Sequence, residues 1–182
     1  NLLLLFSVVC TLTAFAPVKS NFSAAEQQQI SIATPKLFAL SNTFNIELGN
    51  LSTNEYTFPL PVGKAIRQAD NRLEITSTEG DAVKAMFAGT VRLARKHLEY
   101  GNVIVVRHQN GLETVYANNA QNLVDVGDVV KAGQTIAIVG SHEGKTYLNF
   151  WVMVNGARIN PETILSLKSH KLHKQTLQCT KK

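Results

Sequence analysis

The run from Gly127 to Gly140, GDVVKAGQTIAIVG, limits what this chain can fold into more than any other stretch. Its glycines separate short groups of β-branched and apolar residues, a pattern typical of a strand, a tight turn and a second strand. A related run, GDAVKA, begins at Gly80 and is followed by Gly89-Thr90-Val91. Because the match extends through the Lys-Ala pair, we interpret the two runs as an internal repeat of a small β-fold. A common turn sequence without repetition is the alternative.

The spacing of turn residues predicts an all-β sandwich or barrel. From Phe58 onward, turn signals recur about every ten residues, with β-branched runs between them. Asn110-Gly111 is the clearest hairpin turn, and Asn160-Pro161 predicts the start of a short helix that ends near Leu167. The predicted strands are Arg72–Thr76, Ala82–Phe87, Thr90–Lys96, Asn102–Arg107, Glu113–Ala117, Thr135–Val139 and Thr146–Val154.

The net charge of +5 is concentrated at the C-terminal end of the chain. Residues 166–182 contain five lysines and no acidic residue, so the rest of the chain is close to neutral. A neutral body argues against nucleic-acid binding, which needs basic residues clustered on the fold itself. We expect residues 166–182 to form a basic, solvated and mobile tail, with contact to an anionic envelope surface as the alternative.

The N-terminal residues have the composition of an export signal. Leu2 to Ala16 is almost unbroken apolar sequence, shorter than the roughly twenty residues of a membrane-spanning helix. Val18-Lys19-Ser20 offers small residues for cleavage after Ser20. We therefore predict a signal peptide at residues 1–20, with a retained N-terminal anchor as the alternative, and an exported protein of the periplasm, cell envelope or extracellular space. Cys10 and Cys179 lie in the two terminal segments and provide no disulfide framework.

Residues 21–56 have weak periodicity and mixed composition. We expect an N-terminal extension or linker with one or two short strands or helical turns that pack on a main domain at residues 57–165. It stays open at this point whether that extension covers a binding groove on the domain.

The motifs of residues 57–165 form a recognisable series. They are Phe58-Pro59 with Gly63, the GDAVKA run with Gly89-Thr90-Val91, Tyr100-Gly101-Asn102-Val103, His108 with Asn110-Gly111, Thr114-Val115-Tyr116-Ala117, Val124 to Gly140, Leu148 with Phe150, and Asn155-Gly156 through Asn160-Pro161. In order and without large gaps, this series resembles the lysostaphin-like (LytM-type) zinc endopeptidase domain. The resemblance implies an all-β sandwich or barrel-sandwich hybrid with a duplicated motif and a short C-terminal helix. Active members of that family cut peptide cross-links in peptidoglycan.

The resemblance also implies where a catalytic site would lie. In active members, one zinc ion is bound by a His, by an Asp shortly after it, and by the second His of a His-x-His pair, while two further histidines assist the chemistry. Aligned with this chain, the first His falls on Asp70 and the Asp on Glu74. The His that follows a Tyr-Ala pair falls on Asn118, and the His-x-His pair falls on Tyr147 and Asn149. None of the five positions holds its family residue.

These replacements predict a domain without zinc and without catalysis. Catalytic zinc needs about three good protein ligands and an open position for water, and the amide oxygen of Asn149 is a poor ligand. Because positions 118 and 147 hold no imidazole, no neighbouring side chain can act as a general acid or base near neutral pH. Among the five histidines, His142 is the one candidate to lie near the former site.

We therefore expect a binding, regulatory or scaffold module for peptidoglycan hydrolases or for an envelope assembly. Its ligand would be an envelope protein, or a peptide or glycan of peptidoglycan, held in a groove lined by Asp70, Glu74, Asn118, Tyr147 and Asn149. The ring of Tyr147 could stack on a sugar. Drift without any ligand is the competing explanation for these positions. Membrane contact is expected only through the N-terminus or the basic tail.

Two other functions are weighed against this one. An active peptidoglycan endopeptidase with a divergent metal site would use the same scaffold. A biotinyl-like or lipoyl-like carrier would share the G-D-x-V pattern but needs a modifiable lysine at a hairpin tip. Lys84 precedes its bend and Lys131 lies within a repeat turn, so neither is well placed for a carrier.

Overall fold

The computed structural model describes residues 21–181, and these are dominated by antiparallel strands. The predicted signal peptide at residues 1–20, with Cys10, lies outside the described residues. Within them the elements are α1 (Ala24–Gln28), β1 (Thr43–Glu47), β2 (Lys64–Arg67), β3 (Leu73–Thr76), β4 (Ala82–Lys84), β5 (Gly89–His97), β6 (Gly101–Arg107), β7 (Leu112–Asn122), β8 (Val129–Val130), β9 (Thr135–Val139), β10 (Ser141–His142), β11 (Lys145–Val154), β12 (Ala157–Ile159) and β13 (Thr176–Thr180), with short 3-10 helices at Gln109–Gly111 and Pro161–Thr163. In this part of the chain, no helix is long and apolar enough to cross a membrane.

One large sheet organises the domain. Its strands follow the order β2-β3-β11-β7-β6-β5-β8, with β10 and β12 paired to β11 and with β9 joining β4 to β7. A separate two-stranded sheet is formed by β1 and β13. The predicted all-β fold of the LytM type is confirmed, and each of the seven predicted strands is present.

Most of the predicted strand ends are within one residue of the structure, but two strands differ by three residues or more. Strand β4 ends at Lys84, after its register against β9 shifts between Val83 and Lys84, and the backbone amide of Met86 donates to the hydroxyl of Tyr116 at 2.7 Å. Strand β7 continues beyond Ala117 to Asn122, because its last residues pair with β9. The pairing partner, more than local composition, decides where each strand stops.

The two GDxVKA runs take equivalent places in the sheet. Asp81 and Asp128 both follow a glycine with positive φ and each closes a tight turn with a backbone hydrogen bond of 3.1 Å. The carbonyl of Asp128 accepts from the amide of Val91, and the carbonyl of Asp81 accepts from that of Val139. Each run therefore pairs with the strand that follows the other run, β8 with β5 and β4 with β9. This reciprocal pairing agrees with an internal repeat.

The large sheet is buried on both faces, so its central strands are apolar throughout. Along β6, Ile104 and Val106 point into the main core, while Val103 and Val105 belong to a second cluster on the opposite face. We call that second face the outer face. Its apolar cluster consists of Ile30, Leu93, Val103, Val105, Val115, Ala117, Trp151 and Met153.

The N-terminal extension covers part of this outer face. Helix α1 is closed by a capping box between Ser23 and Glu26, and Ile30 packs into the outer-face cluster. The short elements predicted for residues 21–56 are thus present as α1 and β1. They pack on the domain instead of leading away from it.

A buried arginine fastens the extension to the sheet. Arg92 is the extra residue of a β-bulge in β5 and is fully buried. Its Nε donates to the carboxylate of Glu113 at 2.6 Å. Its terminal nitrogens donate to the backbone carbonyls of Glu26, Gln29 and Ile30. One guanidinium group therefore compensates a buried carboxylate and also satisfies three carbonyls at the end of α1.

The C-terminal segment is ordered in a way that the charge pattern did not predict. The predicted helix is present only as the 3-10 helix Pro161–Thr163, because the chain reverses and Leu165 bridges to the buried Leu172. The prediction of a mobile, solvated tail is wrong for β13, which pairs with β1 along its whole length. Leu177 and Cys179 pack against the main core on one side of β13, and solvent-facing residues alternate with them.

Replacement of Arg92 should destabilise the domain strongly. In Arg92→Met, the carboxylate of Glu113 and three backbone carbonyls lose a buried donor, and breaking a buried ion pair typically costs about 3–5 kcal/mol. We expect a loss of this order in the free energy of unfolding, measured by urea denaturation, together with faster amide exchange in residues 23–30. Arg95→Met, on the exposed part of the same strand, is the matched control. Equal stability of the two variants would contradict the role given to Arg92.

The pH dependence of stability should report on His108. Its Nδ1 lies 2.7 Å from the carbonyl oxygen of Ala88 and its Nε2 lies 2.8 Å from the hydroxyl of Thr114, and burial lowers its pKa to about 4. The unfolded chain binds this proton near pH 6.5, so the folded state loses stability as the pH falls from 6.5 towards 4.

We expect His108→Gln to remove about 1–3 kcal/mol of that acid-induced loss between pH 7 and pH 4. Urea unfolding across this pH range measures it. His142→Gln, which replaces an exposed histidine, serves as control and should keep the wild-type slope. An unchanged slope in His108→Gln would show that the ring does not resist protonation in the folded state.

Candidate binding groove

A polar groove of about 290 Å³ opens where β11 meets the β5–β6 hairpin. Its lining residues are Arg72, Leu98, Glu99, Tyr100, Gly101, Asn118, His142, Tyr147 and Asn149. Three of the five predicted site residues, Asn118, Tyr147 and Asn149, are in this lining. Asp70 and Glu74 lie beside it, since Asp70 contacts Arg72 and Glu74 is paired with Asn149 across β3 and β11. The structure therefore brings the five positions together around one groove.

Asp70 is held by two arginines. Its Oδ2 lies 2.7 Å from Nε of Arg72 and 2.7 Å from a terminal nitrogen of Arg158. Partial burial acts to raise the pKa of Asp70, but the hydrogen bonds from Arg72 and the charges of both guanidinium groups outweigh it and hold the pKa below its usual value. The carboxylate is thus ionised and fully engaged, and the three groups together carry a net positive charge.

Aromatic rings fix both guanidinium groups in place. Arg158 lies 4.5 Å above the centre of the Trp151 ring, and it donates to the hydroxyl of Tyr100 at 3.3 Å. The guanidinium carbon of Arg72 lies 5.9 Å from the centre of the Tyr100 ring. Contacts of this kind favour a cation over the ring face. We call Asp70, Arg72, Arg158, Tyr100 and Trp151 the arginine cluster.

Glu74 is engaged in a separate ion pair. Its carboxylate accepts from the ammonium group of Lys145, and Lys145 also lies 5.6 Å from the centre of the Tyr147 ring. The carboxylate predicted to take the family's Asp position is therefore paired with a lysine of the neighbouring strand β11.

Asn118 acts as a structural cross-link in the wall of the groove. It has a positive φ of 65°, and its amide donates to the carbonyl of Tyr147 at 2.7 Å and to that of Gly140 at 3.3 Å. The backbones approach so closely that a Cβ atom at Gly140 would lie 2.4 Å from the carbonyl oxygen of Asn118. Glycine at position 140 is therefore required by the contact that holds Asn118 in place.

The donor set at the groove does not fit zinc. Asp70 and Glu74 are occupied by arginine and lysine, and Asn149 offers only a neutral amide. Across residues 21–181, no three His, Cys, Asp or Glu side chains are grouped so that they could hold a metal ion. His142, the candidate histidine, is in the lining, but its side chain is 66% exposed and lies 3.8 Å from the carboxylate of the exposed Glu143.

Sequence reasoning missed several residues of the groove. Arg72 follows Asp70 closely in the sequence and could have been suspected, because a carboxylate that replaces a metal ligand needs a new cation. Tyr100 belongs to a motif of the sequence, but nothing there placed it beside Asp70, and no local signal indicated Arg158, which contacts Asp70 next to the groove. Leu98, fully exposed at the tip of the β5–β6 hairpin, is an apolar residue at the rim of the groove.

The N-terminal extension leaves the groove open. No residue between 21 and 56 is part of the groove lining. Instead, residues 46–55 form one wall of a separate, larger cavity of about 400 Å³, which also includes Phe87 and His108. That cavity is more apolar, and none of the five predicted site residues lines it.

Comparisons with known proteins identify the family. The sequence profile of peptidase family M23 matches residues 69–161, just over half of the chain. Over 90 residues, 48% of this chain, the sequence is 42% identical to the murein hydrolase activator EnvC of Escherichia coli. It is 36% identical over 91 residues to the murein hydrolase activator NlpD of the same organism. The matched region spans 22% of EnvC and 24% of NlpD.

A solved structure shares the fold. The antimicrobial peptidase lysostaphin from Staphylococcus simulans superposes with a TM-score of 0.52 at 25% identity, over 62% of this chain and 53% of that protein. Sequence profile, relatives and fold all point to one family. This chain belongs to peptidase family M23.

Proposed function

We propose that this chain is a non-catalytic M23 domain of the bacterial cell envelope that regulates murein hydrolysis by binding through its groove. The observation that carries the proposal is the arginine cluster. At the position where the family places its first zinc ligand, Asp70 is ion-paired with Arg72 and Arg158. A second cation at that carboxylate would have to displace two charge-assisted contacts of 2.7 Å.

The remaining groove residues support binding over hydrolysis. Hydrolysis of an amide needs an activated water and a group that protonates the leaving amine. Asn118 has no basic nitrogen, and its amide is used to hold two backbone carbonyls. Tyr147 and Asn149 offer a phenol and an amide, which suit hydrogen bonding to a peptide or stacking on a sugar.

The relatives support a regulatory role at the envelope. EnvC and NlpD are named as murein hydrolase activators, and a protein of Haemophilus influenzae that is 37% identical over 91 residues is named outer membrane antigenic lipoprotein B. Applied to this chain, these names favour an envelope location and a murein hydrolase or murein itself as partner. Export through a signal peptide at residues 1–20 remains a prediction.

Zinc binding separates this proposal from an active peptidase. We expect the purified chain to bind no stoichiometric zinc in isothermal titration and to release no label from dye-labelled murein, with or without added zinc. The Asp70→Ala, Glu74→Ala double variant should behave in the same way. One tightly bound zinc ion per chain that is lost in the double variant, together with murein cleavage, would show that the domain is a peptidase with a divergent metal site.

Regulation is tested by adding the purified chain to labelled murein together with murein hydrolases from the organism that encodes it. We expect several-fold faster release of label from murein, and we expect the Tyr147→Ala, Asn149→Ala double variant to lose most of this effect, because groove anchors dominate binding energy. Val129→Ser, at an exposed position outside the groove lining, is the control. Equal stimulation by all three proteins would place the regulatory surface elsewhere and contradict the role of the groove.

A further inference from the structure

We infer that the groove contains a carboxylate-binding subsite centred on Arg72, and that its ligand is a free carboxylate of a murein peptide. The inference rests on the proposed function, because it names the ligand of the same groove. Arginines in place of a zinc ion keep positive charge at this place in the fold, but the way in which that charge acts on a ligand is different. A metal ion polarises a bond, whereas a guanidinium group holds an anion by paired hydrogen bonds.

The donors of Arg72 are only partly used. Its Nε donates to Asp70 at 2.7 Å, and among the described residues its two terminal amino groups have no hydrogen-bond or ion-pair partner. Those two groups form the end-on edge of the guanidinium fork. This edge matches the two oxygens of a carboxylate in a bidentate contact.

The position of Arg72 is fixed before any ligand arrives. Asp70 holds its Nε, and the ring of Tyr100 lies against its face. Arg158 in turn holds Asp70 and the hydroxyl of Tyr100. Little side-chain entropy is therefore lost when an anion binds, and preorganisation of this kind strengthens binding.

Charge and exposure also suit an anionic ligand. One carboxylate, Asp70, serves two guanidinium groups, so the cluster keeps one uncompensated positive charge. The side chain of Arg72 is 27% exposed, which leaves it within reach of the groove and shields it partly from water. Partial shielding increases the strength of a charge-assisted hydrogen bond.

Other lining residues limit which anion fits. Glu99 is part of the same lining, and its charge weakens a purely electrostatic attraction for anions. The ligand must therefore make further contacts, and the side chains of Tyr147 and Asn149 have no hydrogen-bond partner within residues 21–181. They are available to the amide groups of a peptide.

A murein peptide fits these observations better than a protein segment does. The groove holds about 290 Å³ and has a largely polar lining, with Leu98 as an exposed apolar residue at its rim. A protein segment normally docks through an extended apolar core, whereas a few residues of a short, polar peptide fit a cavity of this size.

The experiment compares two forms of one ligand. A synthetic murein stem peptide with free carboxylates, and the same peptide with those groups converted to amides, are titrated into the full chain and followed by calorimetry. We expect amidation to weaken binding about tenfold or more, since a charge-assisted bidentate contact is lost. In Arg72→Gln the two peptides should bind equally, at about the affinity of the amidated form. Glu99→Gln should bind the free acid more tightly than wild type, because a repelling charge is removed.

Arg95→Gln is the matched control, since Arg95 is an exposed arginine on β5 that does not line the groove, and it should retain the discrimination of wild type. Arg72→Lys keeps the charge without the fork and should lose most of the discrimination. It replaces the glutamine variant if thermal unfolding shows that Arg72→Gln does not fold.

The outcomes separate this inference from the proposed function. If wild type stimulates murein hydrolases but binds both peptides equally, or binds neither, the carboxylate subsite is wrong while the regulatory function stands. Loss of discrimination in Arg95→Gln as well would also overturn it, because the effect would then be one of net charge. If the chain neither stimulates hydrolases nor binds either peptide, the proposed function itself fails.

Discussion

The buried ion pair between Arg92 and Glu113 is the interaction on which the rest of this structure depends. Both side chains are fully buried, and such charges are tolerated in a protein interior only when every donor and acceptor finds a partner. Here the partners come from four places in the chain, since Arg107 of β6 also donates to Glu113 at 2.8 Å. The β-bulge of β5 presents Arg92, β7 presents Glu113, and the carbonyls at the end of α1 take the remaining donors. Part of the outer face of the sheet is therefore covered by a segment far away in sequence.

The N-terminal extension leaves the groove uncovered at the edge of the outer face. The two faces of the large sheet carry separate apolar clusters, and the N-terminal extension covers part of the outer one. Trp151 belongs to this outer cluster, and the groove opens beside it, between Tyr100 and Asn149. The arginine cluster forms at this boundary, where Arg158 lies over the ring of Trp151. The packing of Trp151 in the outer-face cluster thus positions Arg158, and with it the arginine cluster, beside the groove.

The positions predicted to align with the family's metal ligands form a site in which charges are paired within the protein. Asp70 is neutralised by two arginines and Glu74 by Lys145, while Asn118 serves the backbone. If these positions had drifted freely, neither the shared carboxylate nor the aromatic supports of both guanidinium groups would be required. The arrangement supports the proposed regulatory role, in which the groove recognises a ligand.

The sequence by itself determined the all-β fold and the duplicated turns at Gly80 and Gly127, and it predicted that the family's zinc positions hold no histidine. These features depend on local patterns, namely alternation, turn glycines and the order of motifs. Only the tertiary structure decided that β13 pairs with β1 and that Arg158 reaches Asp70 from β12. Both contacts join residues that are far apart in the chain. The charge pattern along the sequence does not show which distant strand or carboxylate a given segment will contact.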